Sequence, residues 1–373
     1  MDLKKAQICS EHLTRYVKKQ AGALKNGGVH GLEDVFLYVT SRCNATCEHC
    51  FYWQELNREE DEIQLAQFEK MAATMPDIEN LIMTGGEPFL RRDIVEIVGR
   101  FLKHRNVGAM QFNTNGFTPK MIEKRIIEMC ETHPEQRFHV MFSIDGFKDT
   151  HNITRNNPRA WELTNESITR CLPLQRGKYE GRLFISVLTV LHNGNYKEIE
   201  PLSDFIRNEY GIIHAYELVR GTDFSVWGLD DDVKEDYNPP GMTLPPEEEW
   251  DDIWARLNEI NRKSGYLNRF YHLMTKWQFQ MLREQGRRKR VKCISAGRTT
   301  ATIYSNGDVA ACEFSKPFAN LENFEYDFDA LWNSQAANDR RAQLGGCHCT
   351  HACYLTKNLE YSLKGQVSLM RNL

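Results

Sequence analysis

The sequence predicts an α/β fold: a parallel β/α unit of barrel or partial-barrel type, followed by a smaller α+β unit. Three observations predict it. Six short β-type runs recur between residues 35 and 220, amphipathic helical stretches fill the gaps between them, and each run ends in polar or glycine residues. A strand followed by a helix and then another strand requires parallel pairing. In such folds ligands gather at the C-terminal strand edge, where the loops converge.

The elements follow in order. Residues 1 to 34 form a polar, helix-like extension without the apolar core of a secretory signal. The strands are VFLYVT (35 to 40), NLIMT (80 to 84), AMQFNT (109 to 114), FHVMFSI (138 to 144), LFISVLTVL (183 to 191) and AYELV (215 to 219). Helical periodicity occupies 63 to 75, 91 to 105, 118 to 132, 159 to 175 and 196 to 209. Residues 221 to 292 form a separate stretch. It opens with an acidic, proline-containing excursion (221 to 249) that reads as a solvated connection, with a lid over the barrel mouth as the alternative. Two helices (247 to 263 and 267 to 284) and a basic run (286 to 292) follow, the run reading as solvated surface. The last unit spans 293 to 373 and contains a hairpin around Ser305-Asn306-Gly307-Asp308, then a helix at 328 to 344.

A net charge of -4 and a pI near 6.3 argue against nucleic acid or an anionic membrane as partner, because both reward a basic face. No apolar stretch approaches the roughly 20 residues of a membrane span, so a cytoplasmic protein is expected. The 11 cysteines are then poor candidates for disulfides, and they are clustered. Cys43, Cys47 and Cys50 lie within eight positions, while Cys293, Cys312, Cys347, Cys349 and Cys353 lie near the C-terminus. Cys9, Cys130 and Cys171 are isolated and read as small buried hydrophobes.

A closed zinc site prefers four ligands in two short-spaced pairs. The first cluster supplies three, spaced C-x3-C-x2-C, and three thiolates on an iron-sulfur cubane leave one iron open. On these residues the chain resembles the radical S-adenosylmethionine (radical SAM) superfamily, whose C-x3-C-x2-C signature follows the first strand of a partial (β/α)6 TIM-type barrel. His49 stands where that family usually has an aromatic residue. The resemblance implies that Cys43, Cys47 and Cys50 hold a 4Fe-4S cluster, with S-adenosyl-L-methionine on its fourth iron. Reductive cleavage then yields methionine and a 5′-deoxyadenosyl radical that abstracts a substrate hydrogen. It also assigns SAM contacts to Gly85, Gly86 and Glu87 of MTGGEPFL, to Asn115 of NTNG, to Ser143 of SIDG and to Arg155, with Thr189 to Asn193 near the adenine.

The C-terminal pattern Cys293-x13-Gly307-x4-Cys312 resembles the opening of the SPASM and Twitch extensions. With five cysteines it looks like the Twitch type, holding one auxiliary 4Fe-4S cluster. The expected ligands are Cys293, Cys312, Cys349 and Cys353, with Cys347 able to replace either of the last two, and zinc at the same residues as the alternative.

The function expected from this resemblance is hydrogen abstraction leading to oxidation or epimerisation of a small metabolite such as an alcohol or sugar. Only about 34 residues precede the first strand, whereas many peptide-modifying relatives carry a peptide-recognition domain. The alternatives are modification of a ribosomally made peptide (epimerisation or thioether formation) or a non-catalytic iron-sulfur or zinc module. Flavodoxin or ferredoxin is the expected electron donor. Tyr216, Glu217 and Arg220, at the end of the sixth strand, are candidates for substrate contact.

Overall fold

The computed structural model describes residues 13–14, 16–21, 31–264, 266–288 and 293–372. Most of the expected N-terminal extension, and 289–292 of the basic run, lie outside the described residues. Six strands form the predicted parallel sheet: β1 (Asp34–Thr40), β2 (Ile78–Gly85), β3 (Val107–Thr114), β4 (Phe138–Ser143), β5 (Leu183–Leu191) and β6 (Ile213–Leu218). They neighbour one another in chain order.

Alternation along each strand sorts side chains into two sets. Val35, Leu37, Val39, Leu81, Met83, Met110, Phe112, Val140, Phe142, Ile185 and Val187 enter one buried core. Residues of the other set, among them Tyr38, Thr84, Gln111, Asn113, Met141, Ser143, Leu188, Val190 and Glu217, line an inner cavity of about 960 Å³. The register keeps the sets apart, pairing Tyr38 with Thr84, Asn113 with Met141, Ser143 with Leu188 and Val190 with Glu217. A one-residue slip would turn each set to the opposite face.

The predicted helices appear as Leu65–Thr74, Ile94–His104, Pro119–Thr132, Ala160–Arg176 and Ile199–Phe205, the last running on into a π-helical turn, Ile206–Tyr210. Two more, Trp250–Ser264 and Tyr266–Arg283, match the later pair. The helix expected over 328 to 344 is broken into Phe328–Trp332 and Gln335–Gln343, because Ser334 caps a new start by accepting from the Ala337 N–H at 3.2 Å. Among the described residues, four α-helices were not expected: Lys148–Thr154, the four-residue Thr222–Ser225, Ala352–Tyr361 and Leu363–Asn372. Cys130 and Cys171 are core residues, as expected.

Two features differ from the expected organisation. The hairpin of β8 (Thr300–Ile303) and β9 (Asp308–Ala310) does not stand apart, for β8 pairs in parallel with β1, and β10 (Ala319–Asn320) follows β9. The result is a nine-stranded sheet whose edges are β6 and β10. Ala301 and Ile303 thereby bury themselves in the barrel core, which an isolated hairpin could not offer them.

The excursion after Arg220 is also more than a solvated connection. Its β7 (Val226–Trp227) pairs antiparallel with β11 (His348–Cys349). The Gly241 and Met242 N–H groups both donate to the Glu48 carbonyl at 2.9 Å, and Glu235 N–H donates to the Phe314 carbonyl at 3.0 Å. The segment is a strap from the first cysteine loop to the C-terminal unit, its backbone polar groups satisfied by both.

Candidate active site

The loop after β1 carries the first three cysteines, and it is held at both ends, by the buried Arg91 and by the exposed Asn57. Arg91, 8% exposed, donates to the Val39 and Ile63 carbonyls at 2.7 Å and pairs with Asp93 at 2.8 Å. Farther along, Asn57 Oδ1 accepts from Cys43 N–H at 2.9 Å, and Asn57 N–H donates to the Ser41 carbonyl. Gly85 and Gly86 press the end of β2 against this loop. A Cβ on Gly86 would lie 2.1 Å from the Arg42 carbonyl oxygen, and one on Gly85 would lie 2.5 Å from that of Thr40. Gly85 also has φ +119°, which L side chains rarely adopt. The room these glycines leave is filled by the cysteine loop's backbone.

Cys43, Cys47 and Cys50 all line the inner cavity. Burial pushes the Cys43 and Cys50 thiols up to about 12, and it raises Cys47 against the opposing charge of Arg155. Three buried thiols of this kind need a compensating positive centre to exist as thiolates. Among the described residues, no three Cys, His, Asp or Glu side chains converge on a point suited to a single metal ion. Three soft thiol donors on one loop are a set that suits an iron-sulfur cluster with one iron left open.

The expected SAM-binding residues gather around the same opening. Glu87 is 1% exposed and accepts from Asn115 N–H (2.8 Å), Thr114 Oγ1 (2.9 Å) and Phe89 N–H (3.1 Å). Its carboxylate ties β2 to β3, which leaves little acceptor capacity for an incoming amine. Burial still raises it to about 7. Asn115 Nδ2 donates to Asn44 Oδ1 at 2.8 Å, linking the β3 rim to the cysteine loop, and Ser143 lines the cavity.

Arg155 caps the short helix Lys148–Thr154. Its Nε lies 2.6 Å from Asp145 Oδ2, and its Nη1 lies 3.5 Å from Cys47 Sγ. Burial alone would raise the Asp145 carboxyl, but Arg155 and the nearby histidines hold it well below the usual carboxylate range. Asp145 Oδ1 also accepts from Val190 N–H at 2.9 Å, and the Asp145 N–H donates to His151 Nδ1 at 3.0 Å. His49 and His192 stack with ring centroids 6.0 Å apart, and burial lowers them to about 3 and about 4. Asp145 and His151 were not foreseen, while His192 lies in the 189 to 193 segment expected near the adenine. The signal was present, since SIDG was singled out for its serine alone. In the 189 to 193 segment, Thr189 Oγ1 turns outward to the Ile144 carbonyl and His214, while Val190 meets the cavity.

The C-terminal cysteines come together against the barrel. Cys293, Cys312, Cys347 and Cys349 are buried in one cluster with Phe36, Tyr38 and Tyr52, and Cys353 packs at its edge. Burial raises Cys349, and the charges of Cys293 and Cys312 raise it further, so these three thiols are neighbours. Cys353 lies at the cavity wall, its Sγ 3.7 Å from Glu217 Oε1.

All three residues expected at the sixth strand's end border the cavity. Glu217 pairs with Arg220, which also reaches Glu313 Oε2 at 3.2 Å and His351 Nε2 at 3.1 Å. Tyr216 is different. Its hydroxyl is tied outward, to Ser203 Oγ at 2.7 Å and the Ile199 carbonyl at 2.6 Å, because alternation along β6 sends it opposite to Glu217. Glu313, His351 and Tyr38, which donates to Glu313, were not foreseen. At the opposite end of the cavity, Lys357 pairs with Glu33 (2.8 Å) and Asp34 (3.1 Å).

A partial parallel barrel with three thiols on its first rim loop, and further thiols packed against its first strand, defines the architecture of a cluster-dependent radical enzyme. Family models agree. That of the radical SAM superfamily matches residues 37–206, and that of SPASM, an iron-sulfur cluster-binding domain, matches residues 293–354. Together they cover more than half of the chain, which belongs to the radical SAM superfamily and carries a C-terminal SPASM domain. SAM, a 4Fe-4S cluster and auxiliary iron-sulfur binding come with that membership.

Among curated relatives, GTP 3′,8-cyclase of Helicobacter pylori (strain J99 / ATCC 700824) is 26% identical over 190 residues, 49% of this chain and 55% of that one. The match thus spans about half the relative's length. Among solved structures, Streptococcus suis SuiB bound to precursor peptide SuiA superposes over 94% of this chain and 77% of that one (TM-score 0.54, 14% identity). Native anSMEcpe with bound AdoMet and Cp18Cys peptide superposes over 92% and 100% (TM-score 0.56, 14% identity). At such identities these two share the fold. Among the described residues no helix is long and apolar enough to cross a membrane.

Proposed function

We propose that the chain acts on a C–H bond of a small polar metabolite, such as an alcohol or sugar, with oxidation or epimerisation as the outcome. One observation carries this reading: a single cavity joins Cys43, Cys47 and Cys50 to Cys353, with Glu217 and Arg220 between them. Cys43, Cys47 and Cys50 would hold a 4Fe-4S cluster, which would supply the electron for reductive cleavage of SAM and so for hydrogen abstraction from the substrate.

The chain's own residues provide the rest. Gly85, Gly86 and Asn115 hold the cysteine loop against the strand ends, Ser143 faces the space for SAM, and Arg155, anchored by Asp145, sets its guanidinium beside Cys47. Glu217 offers a carboxylate oxygen toward the cavity, suited to a hydroxyl or amine of the substrate. Cys293, Cys312, Cys349 and Cys353, or Cys347 in place of one of the last two, hold an auxiliary 4Fe-4S cluster. Flavodoxin or ferredoxin supplies electrons.

A second reading, modification of a ribosomally made peptide, is favoured by the fold likeness to two proteins whose structures contain peptides. Both readings rest on the same radical-generating site. The test is iron, sulfide and zinc per chain after anaerobic reconstitution, with 5′-deoxyadenosine release, for wild type and a Cys43→Ala, Cys47→Ala, Cys50→Ala variant. About eight irons falling to about four, with release abolished, is the expected result. One zinc with four irons in wild type would remove the auxiliary cluster from the proposal.

A further inference from the structure

Arg220 touches residues beside both cysteine sites. Its guanidinium lies 5.5 Å from the ring centroid of Phe51, the residue after Cys50. The same group reaches Glu313, the residue after Cys312, and His351, midway between Cys349 and Cys353. Its remaining partner is Glu217, whose other oxygen meets the Cys353 thiol. Glu313 and His351 are 4% and 0% exposed in their side chains, so these contacts are made away from solvent.

We infer that Arg220 is a positioning residue that joins the two cysteine sites and sets the reduction potential of the auxiliary cluster. The inference rests on the reading that the C-terminal thiols hold such a cluster.

Reduction adds negative charge to an iron-sulfur cluster, and a fixed cation nearby stabilises that reduced form, raising its potential. Partial burial weakens the screening of this effect by salt. An arginine suits the position because its planar fork donates to Glu217 and Glu313 at once, with His351 alongside, while its face rests on Phe51. A lysine would keep the charge but not all four contacts. Glu313 is the opposing charge: it neighbours Cys312 and takes hydrogen bonds from Tyr38, Arg220 and His351.

The test uses the full chain with Cys43, Cys47 and Cys50 replaced by alanine, so that only the auxiliary cluster remains. Iron content and midpoint potential are measured by an EPR-monitored redox titration. In this background Arg220→Gln should shift the potential negative, Arg220→Lys should hold it near the starting value, and Glu313→Gln should shift it positive, with iron content unchanged. A purely structural role for Arg220 would not produce shifts of opposite sign from neighbouring residues. No shift in either glutamine variant, or shifts in the same direction, would overturn the inference. Should Arg220→Gln lose its iron, the Arg220→Lys and Glu313→Gln results decide. Absence of iron before Arg220 is changed would overturn the underlying cluster reading and the inference with it.

Discussion

The two cysteine sites are built in opposite ways. Cys43, Cys47 and Cys50 come from one rim loop held largely from within the barrel, by Arg91, Asn57, Gly85, Gly86 and Asn115, with the strap adding Gly241 and Met242 on the Glu48 carbonyl. The C-terminal thiols come from segments far apart in sequence. They converge only because β8 lies against β1 and because β7, on the strap, pairs with β11. A site made by local spacing should survive distant changes, whereas one assembled by tertiary pairing should not.

The largest expected effect sets the sites against each other. Cys43→Ala should abolish 5′-deoxyadenosine release while the C-terminal iron stays, and Cys293→Ala should lose C-terminal iron yet keep release with a chemical reductant. Equal loss of release in two folded variants would end the division of roles. Gly86→Ala, which drives a Cβ into the Arg42 carbonyl, should then deplete iron at the first site, as read by iron analysis in the Cys293→Ala background, and spare the C-terminal iron, as read in the Cys43→Ala background.

Arg155→Ala strands Asp145 as a buried, uncompensated charge and should destabilise the iron-free protein by roughly 3–5 kcal/mol in urea unfolding, with Arg155→Lys less affected. For Glu87 the folded protein binds the proton more tightly than the unfolded chain, so its contribution favours folding below the ordinary carboxylate range and is lost as pH rises toward about 7. This is worth about 3 kcal/mol across that window. Glu87→Gln should flatten the iron-free protein's stability over that range, and an unchanged slope would exclude Glu87 as its source. The smallest effect is expected of Tyr216→Phe: about 1 kcal/mol of stability, from its outward hydrogen bonds, and no change in deoxyadenosine release.

Much of the barrel was legible because its signals are short in range. Apolar runs, helical periodicity and terminal glycines lie within single segments, and so does C-x3-C-x2-C. That the Tyr216 hydroxyl would bond outward was not legible, because AYELV is flanked on both faces, by helices outside and the cavity inside, and apolar content then does not tell inward from outward. Arg155 was found but its partner was not, since one buried charge in a sequence does not say which group neutralises it. The strap was read as a solvated connection because its hydrogen bonds are made by backbone atoms, which composition does not reveal.

The sequence by itself determined the β/α order, the local three-thiol loop and the grouping of the remaining cysteines near a hairpin. Only the tertiary structure decided that the hairpin would extend the barrel sheet, and that Arg220 would meet Glu313 across 93 positions. It also decided that Lys357 would close on Glu33 across 324. The physical reason is that neighbours along the chain have their separation limited by covalent geometry, whereas distant groups meet only when sheet register and packing bring them together.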